Sequence, residues 1–399
     1  MTELCDLTAR EARRRIGTKE ISPVELLESC IARTEAVNPA LNTLVTPCFE
    51  RAREEAKDAE RDVMDGEPLA LLHGLPFGVK DLEATEGVRT TYGSLIYEDN
   101  VPDEDQNSVA QIRANGGVMM GKTNTPEFGA GANTRNRVFG ATGNPFDPTL
   151  TCAGSSGGSA VALATGMVPI ATGSDYGGSL RTPASFCGVV GFRPSPGTVP
   201  SESRVVGLNP FSVLGPMGRN VGDAALLLAA MTHDDVDDPF GGAIDPDLIE
   251  PLEAADPSTL RVAVSEDLGC APVDNNIRRL FGERVNLFRH IFNETQDRDP
   301  ELGPDLHRSF EILRSVNFMA AHGERLANHR EKLTPNVISN TEMGADFSAA
   351  DVAWAHVEQT AIYRRFNALF DEVDILISPA SAVTPFPHED WYVEEINGE

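Results

Sequence analysis

Lysine is scarce in this chain: only Lys19, Lys57, Lys80, Lys122 and Lys332 occur among 399 residues. Acidic residues number 61 against 33 basic ones, for a formal charge of −28. That balance argues against nucleic-acid binding, because phosphate contacts need clustered lysine and arginine. No apolar run is long enough for a membrane span or an export signal, and MTELCDLTAR carries charge early. A soluble, cytoplasmic protein is expected. Cysteine is sparse too: Cys5, Cys30, Cys48, Cys152, Cys187 and Cys270 are scattered without a C-x-x-C pair. This argues against a zinc site or a disulfide framework and for reduced, mostly buried thiols. The acidic clusters at 103–105, 234–238 and 394–395 read as a solvated shell suited to high salt, where screening removes self-repulsion. A halophilic source is therefore expected; an acidic surface for a basic partner is the rival reading. The aspartates at 234–238 lack calcium-loop spacing and read as a solvated loop.

What is present is ample material for one large core. Residues 8–37 read as helices, with Pro23 after Ser22 at a helix start. Residues 49–64 form a charged amphipathic helix. From Leu71 the texture changes to short apolar strands (76–79, 118–120, 168–172, 189–192) alternating with glycine-rich turns and helices, the pattern of an α/β fold around a mixed sheet. An apolar helix over 222–231 is followed by an acidic, proline-containing stretch to about 256, a candidate subdomain boundary. Beyond it, 261–264 reads as a strand, 275–293, 305–330 and 350–371 as long helices, and 374–378 as a buried strand. The expected organisation is thus a helical segment at 1–70, a catalytic core at 71–235, a mostly helical acidic subdomain at 236–373, and a final strand and tail at 374–399.

Three runs carry the chemistry. Gly74-Leu75-Pro76-Phe77-Gly78-Val79-Lys80-Asp81 puts a lysine at the end of an apolar strand. Cys152-Ala153-Gly154-Ser155-Ser156-Gly157-Gly158-Ser159 precedes a helix, and Gly173-Ser174-Asp175-Tyr176-Gly177-Gly178-Ser179-Leu180-Arg181 follows downstream. A serine hydroxyl needs a base to become a nucleophile. Lysine serves only when neutral, a state that burial favours. Glycines beside Ser179 leave backbone N–H groups free to approach a substrate carbonyl. The residues alone therefore permit a Ser–Lys hydrolase with a second serine as proton relay. Gly154–Gly158 also fits the G-x-S-x-G nucleophile elbow, but turn-rich NPFDPTLT stands where that motif needs a strand. A phosphate loop lacks its lysine after the glycines. His73 invites a Ser–His reading, although a lone histidine before a strand is more often structural. Cys152 and Cys187 read as packing residues.

Taken in order, these runs resemble the amidase signature family: GSSGGSA at 154–160, GSDYGGSLRTPASFCGVVGFRPS at 173–195, with GKTNTPEFG, TGNPFDP and GPMGRNVGDAALLL alongside. The resemblance is strong over 5–235 and weaker to about 387. It implies an amidase-signature fold, in which a central mixed β-sheet is flanked by helices on both faces and carries a helical insertion. By the same resemblance Ser179 is the acyl-forming nucleophile, Ser155 the bridging serine beside a cis peptide, and Lys80 the general base. Backbone amides of Tyr176, Gly177, Gly178 and Ser179 form the oxyanion hole, and Ser156, Asp175 and Arg181 support the loops. The implied substrate is a small-molecule carboxamide, with no cofactor and no metal.

Two departures stand out. Ala153 replaces the glycine usual before Gly154, a change expected to tighten the loop. After DEVDILISPASAVTP the family pattern gives way to HEDWYVEEINGE, so part of the sheet and a pocket wall are expected to be lacking, with a homodimer or a partner subunit completing them. A glutaminase subunit of a tRNA-dependent amidotransferase shares the same core, although Thr182 stands where that subunit typically has glutamine. An inactive truncated homologue is the third reading.

Overall fold

The computed structural model describes residues 3–242 and 244–399. The chain divides into two compact units, residues 1–252 with 385–392, and residues 253–384 with 393–399. The division falls inside the acidic, proline-containing stretch, and the tail is shared between the units.

The first unit begins with helices α1 (Ala9–Gly17) and α2 (Pro23–Leu41). Ser22 and Glu25 form a reciprocal capping box at the start of α2, which ends on Asn42 in the left-handed region. Strand β1 (Leu44–Pro47) and helix α3 (Phe49–Asp65) follow, then β2 (Pro76–Lys80), α4 (Asn107–Ala114) and β3 (Val118–Thr123). A two-stranded ribbon, β4 (Arg135–Asn136) and β5 (Gly140–Ala141), leads to α5 (Gly157–Ala164), β6 (Ile170–Asp175), α6 (Arg181–Cys187), β7 (Val190–Gly191), β8 (Val213–Gly218) and α7 (Val221–Met231). Six strands form one mixed sheet in the order β1-β3-β2-β6-β8-β7. β2 runs parallel to both β3 and β6, while β1, β8 and β7 pair antiparallel. Every residue of β2, β3 and β8 is buried. Successive side chains point to opposite faces, so both faces at the sheet's centre are covered.

The second unit holds β9 (Arg261–Val264), α8 (Asn275–Phe288), β10 (Glu294–Asp297), α9 (Leu306–His329), α10 (Pro335–Asp346), α11 (Ala349–Ala368) and β11 (Ile375–Ile377). Its parallel sheet has the order β10-β9-β11. Two expectations need correction here. The helix expected over 275–293 stops at Phe288, and the polar run Glu294–Asp297, which carries no apolar signal, pairs with β9 instead. The strand expected to be buried at 374–378 is partly exposed, because β11 pairs with β9 alone among the described residues.

The aspartate run at 234–238 also differs from the solvated loop expected of it. Asp234 and Asp237 are exposed, but Asp235 and Asp238 are buried. Asp238 accepts from the Ser201 amide at 2.9 Å and the Arg204 guanidinium at 2.7 Å, and Asp235 accepts from Asn107 at 2.7 Å. These carboxylates anchor the 201–204 loop and the start of α4.

Candidate active site

The parallel strands β2 and β6 end on the same edge of the sheet, the edge where open α/β sheets place their ligands. Lys80 is the last residue of β2 and Asp175 the last of β6. Ser155 and Ser156 stand immediately before α5, and Ser179 two residues before α6. Two turns into helices therefore face the ends of two strands. The Ser156 amide donates to the Ser179 carbonyl oxygen at 3.2 Å, tying the two serine loops together.

Lys80 is wholly buried, and its ammonium nitrogen meets three hydroxyls: Ser155 Oγ at 2.7 Å, Ser156 Oγ at 2.9 Å and Ser174 Oγ at 2.9 Å. No carboxylate lies within ion-pair distance of Nζ among the described residues. Burial lowers its pKa to about 7, against the opposing influence of Glu83 and Asp175. Ser155 is buried and Ser179 half-buried. The Gly154–Ser155 peptide is cis, and Ala153 before it sits at φ 60°. That left-handed conformation is costly for any residue with a Cβ, so a glycine would fit there with less strain. The position of Gly158 tolerates no side chain, since a Cβ would lie 2.3 Å from the Asn124 nitrogen.

Asp175 organises the nucleophile's loop. Its buried carboxylate accepts from the amides of Gly178 (2.8 Å) and Leu180 (3.1 Å), from Arg181 Nε and Nη2 (3.0 Å each), and from Arg193 Nη1 (3.1 Å). Burial pushes this carboxyl up, but the bonds from Arg181 and the loop amides outweigh it and hold the pKa at about 2. Of the four expected oxyanion donors, the Gly178 N–H already donates to Asp175 in this structure. The Tyr176 ring lies 5.3 Å from that of Phe211.

Other residues fall into structural places. His73 is buried with Nε2 2.9 Å from the Ala59 carbonyl oxygen in α3. Cys152 and Cys187 are buried free thiols, and burial raises the pKa of Cys152 to about 12 and pushes the Cys187 thiol well up. The tail at 385–392, unfamiliar in sequence, is docked within the first unit. Thr151 N–H donates to the Phe386 carbonyl at 2.7 Å, Asn133 Nδ2 donates to the carbonyls of His388 (3.0 Å) and Asp390 (2.6 Å), and Arg135 stacks over Trp391 at 4.5 Å. Thr151 in turn donates to Asn133 Oδ1 and accepts from the Ala153 amide. This chain of bonds connects the tail to the Ser155 loop.

Sequence reasoning missed Ser174, Arg193 and Asn133. Ser174 and Arg193 lie inside the 173–195 run, where a serine beside the aspartate and an arginine after an aromatic were visible but unassigned. Asn133 carries no local signal, because the tail carbonyls it binds lie more than 250 residues away.

Comparison with known proteins identifies the family. The Amidase family model matches residues 25–397. An acylamidase of Rhodococcus erythropolis is 32% identical over 385 residues, covering 96% of this chain and 80% of that protein. A glutamyl-tRNA(Gln) amidotransferase chain from Thermus thermophilus is 33% identical over 404 residues, covering 96% and 83%. Among solved structures, a bacterial aryl acylamidase superposes with a TM-score of 0.91 at 28% identity, covering 98% of this chain and 84% of its own. A 6-aminohexanoate cyclic dimer hydrolase bound to its substrate gives 0.83 at 26% identity, covering 96% and 81%. With the fold, the buried lysine and both serine loops in place, the chain belongs to the amidase family and is an amide-hydrolysing enzyme.

Proposed function

We propose that the reaction proceeds through an acyl-enzyme on Ser179, with Ser155 as proton relay and Lys80 as base. The observation that carries this reading is the buried Lys80 amine facing three hydroxyls. A neutral amine has two N–H donors and one lone pair. Ser156 Oγ lies 3.3 Å from the Ser174 carbonyl, to which it can donate, leaving its oxygen to accept from Nζ. With Ser174 Oγ accepting the second N–H, the lone pair is left for the Ser155 hydroxyl proton, the closest contact at 2.7 Å. Ser155 Oγ then takes the proton of Ser179 as Ser179 Oγ bonds to the amide carbon. The proton held on Lys80 returns through Ser155 to the leaving nitrogen, the C–N bond breaks, and water repeats the sequence to free the carboxylate. Amides of Tyr176, Gly177 and Ser179 receive the oxyanion, with Asp175 and Arg181 holding their loop and Ser156 holding Lys80.

The substrate is a small carboxamide. Tyr176, packed on Phe211, narrows the acyl pocket, so Tyr176→Thr shifts preference toward bulkier acyl groups. Product analysis on a panel of carboxamides and anilides tests the reading, with Ser179→Ala as control. Release of ammonia or amine by wild type alone supports it, and equal turnover by both proteins sinks it. The amidotransferase relatives favour a second reading as a glutaminase subunit; ammonia from glutamine but from no other amide would select it. The acidic composition supports a high-salt setting, which predicts a Tm that rises from low to molar KCl. A homodimer or partner subunit is read by light scattering, and no nucleic acid or membrane partner enters this account. No helix among the described residues is long and apolar enough to cross a membrane.

A further inference from the structure

Beneath the three serines lies a second buried polar layer that the reaction above does not use. Glu83, three residues after Lys80, is 1% exposed. The Thr172 hydroxyl donates to its Oε1, and Ser108 Oγ donates to its Oε2 at 2.7 Å. The same Thr172 hydroxyl accepts the backbone N–H of Lys80 at 3.0 Å. One threonine thus joins the Glu83 carboxylate to the main chain of the base. Burial pushes this carboxyl up, while both of its oxygens accept from hydroxyls and Lys122 and Lys80 lie near, which favours the anion.

Burial shifts the neighbouring ionisable groups as well, lowering Lys122 to about 8 and pushing Asp81 up. Lys122 of β3, also fully buried, donates to the Glu83 carbonyl oxygen and to Thr85 Oγ1 at 2.8 Å. Asp81, 1% exposed, is turned away onto Thr91, whose hydroxyl lies at 2.6 Å. Asp175 of β6 is spent on Arg181 and Arg193. On the far side of Lys122, Asp105 is paired with Arg113, and Cys48 donates to the Met119 carbonyl. A buried carboxylate stripped of water is costly unless hydrogen bonds or opposite charges offset the lost hydration. An apolar residue would fill this position beside the strand without that cost.

We propose that Glu83 is a positioning residue of the hydrolysis: through Thr172 it braces the backbone of Lys80, and its negative charge controls when Lys80 is free to act as a base. The direction follows from electrostatics. An anion near Lys80 favours the protonated amine, opposing the burial that favours the neutral one. Glu83 therefore keeps the proton returning to the leaving nitrogen available on Lys80, at the expense of the neutral fraction of the amine at low pH. Removing the charge lets Lys80 become neutral at lower pH.

This inference rests on the Lys80–Ser155–Ser179 reading, and the test separates the two. The second-order rate of Ser179 labelling by a fluorophosphonate is followed against pH for wild type, Glu83→Gln, Glu83→Leu and Glu83→Asp, each checked for folding by thermal melt. Failure of wild type to label would overturn the triad itself. If wild type labels, the neutral variants should move the acid limb down by roughly one pH unit, and Glu83→Asp, which keeps the charge, should leave the limb in place. A folded neutral variant with an unmoved limb overturns the role of Glu83 alone. So does a chain that folds with neither neutral residue, since Glu83 would then serve folding.

Discussion

Replacing Asp175 by asparagine keeps the shape of the side chain and removes its charge, at the point where the nucleophile's loop is tied down. The carboxylate has no exposed side-chain surface and five donors from the loop and from Arg181 and Arg193. Its pKa is lowered from 3.8 to about 2, which corresponds to about 2 kcal/mol of stability at neutral pH. Arg181 is about half exposed and its share is screened by water. The asparagine NH2, however, faces donors where the carboxylate met them with an acceptor, so the expected loss is about 2–4 kcal/mol. Urea unfolding of the two proteins at pH 7 measures it, and the rate of Ser179 labelling should fall at least about ten-fold as the loop loosens. The pH dependence adds a signed check. Because the folded pKa is depressed, the stabilisation is complete above about 3.8 and disappears as pH falls through about 2. The gap between the proteins should stay constant from about pH 5 to 8 and close in acid. Equal stability and equal labelling of the two proteins would refute the bracing role.

Ser174→Ala removes one of three hydroxyls on Lys80 and should slow labelling roughly ten-fold with little change in Tm; an unchanged rate would show that the contact is idle. Ala153→Gly relieves a left-handed φ and should stabilise the chain by about 1 kcal/mol, whereas a lower urea midpoint would contradict the strain. Asn133→Ala cuts the bonds to the tail and should cost about 1–3 kcal/mol, seen as faster proteolysis at 385–392. Gly158→Ala forces a Cβ against the Asn124 backbone and should abolish soluble protein, while Gly242→Ala, with open space around it, should not.

The legible parts of the molecule are those in which one local signal decides the outcome. Pro76–Val79 reads as a strand because the run is apolar and ends on a lone lysine, and the structure extends it to Lys80 itself. Ser22-Pro23 announces a helix start through capping chemistry that needs only neighbours. The strand at Glu294–Asp297 is illegible because its stability comes from pairing with β9, not from its own side chains. The burial of Asp235 and Asp238 is hidden for a related reason: their partners Asn107, Ser201 and Arg204 are brought up by the fold. In the site, the resemblance names Lys80, Ser155 and Ser179, but the bond from the Gly178 amide to Asp175 depends on where that carboxylate points, which is a tertiary fact.

The central claim, that Lys80 and Ser155 activate Ser179, is tested most directly by intact-mass analysis after fluorophosphonate treatment in high salt. Wild type, Ser179→Ala and Lys80→Ala would be compared at the same pH. The account predicts a single adduct on wild type, none on Ser179→Ala, and slow labelling of Lys80→Ala. A folded wild type that takes no label, or an adduct that persists in Ser179→Ala, would contradict it.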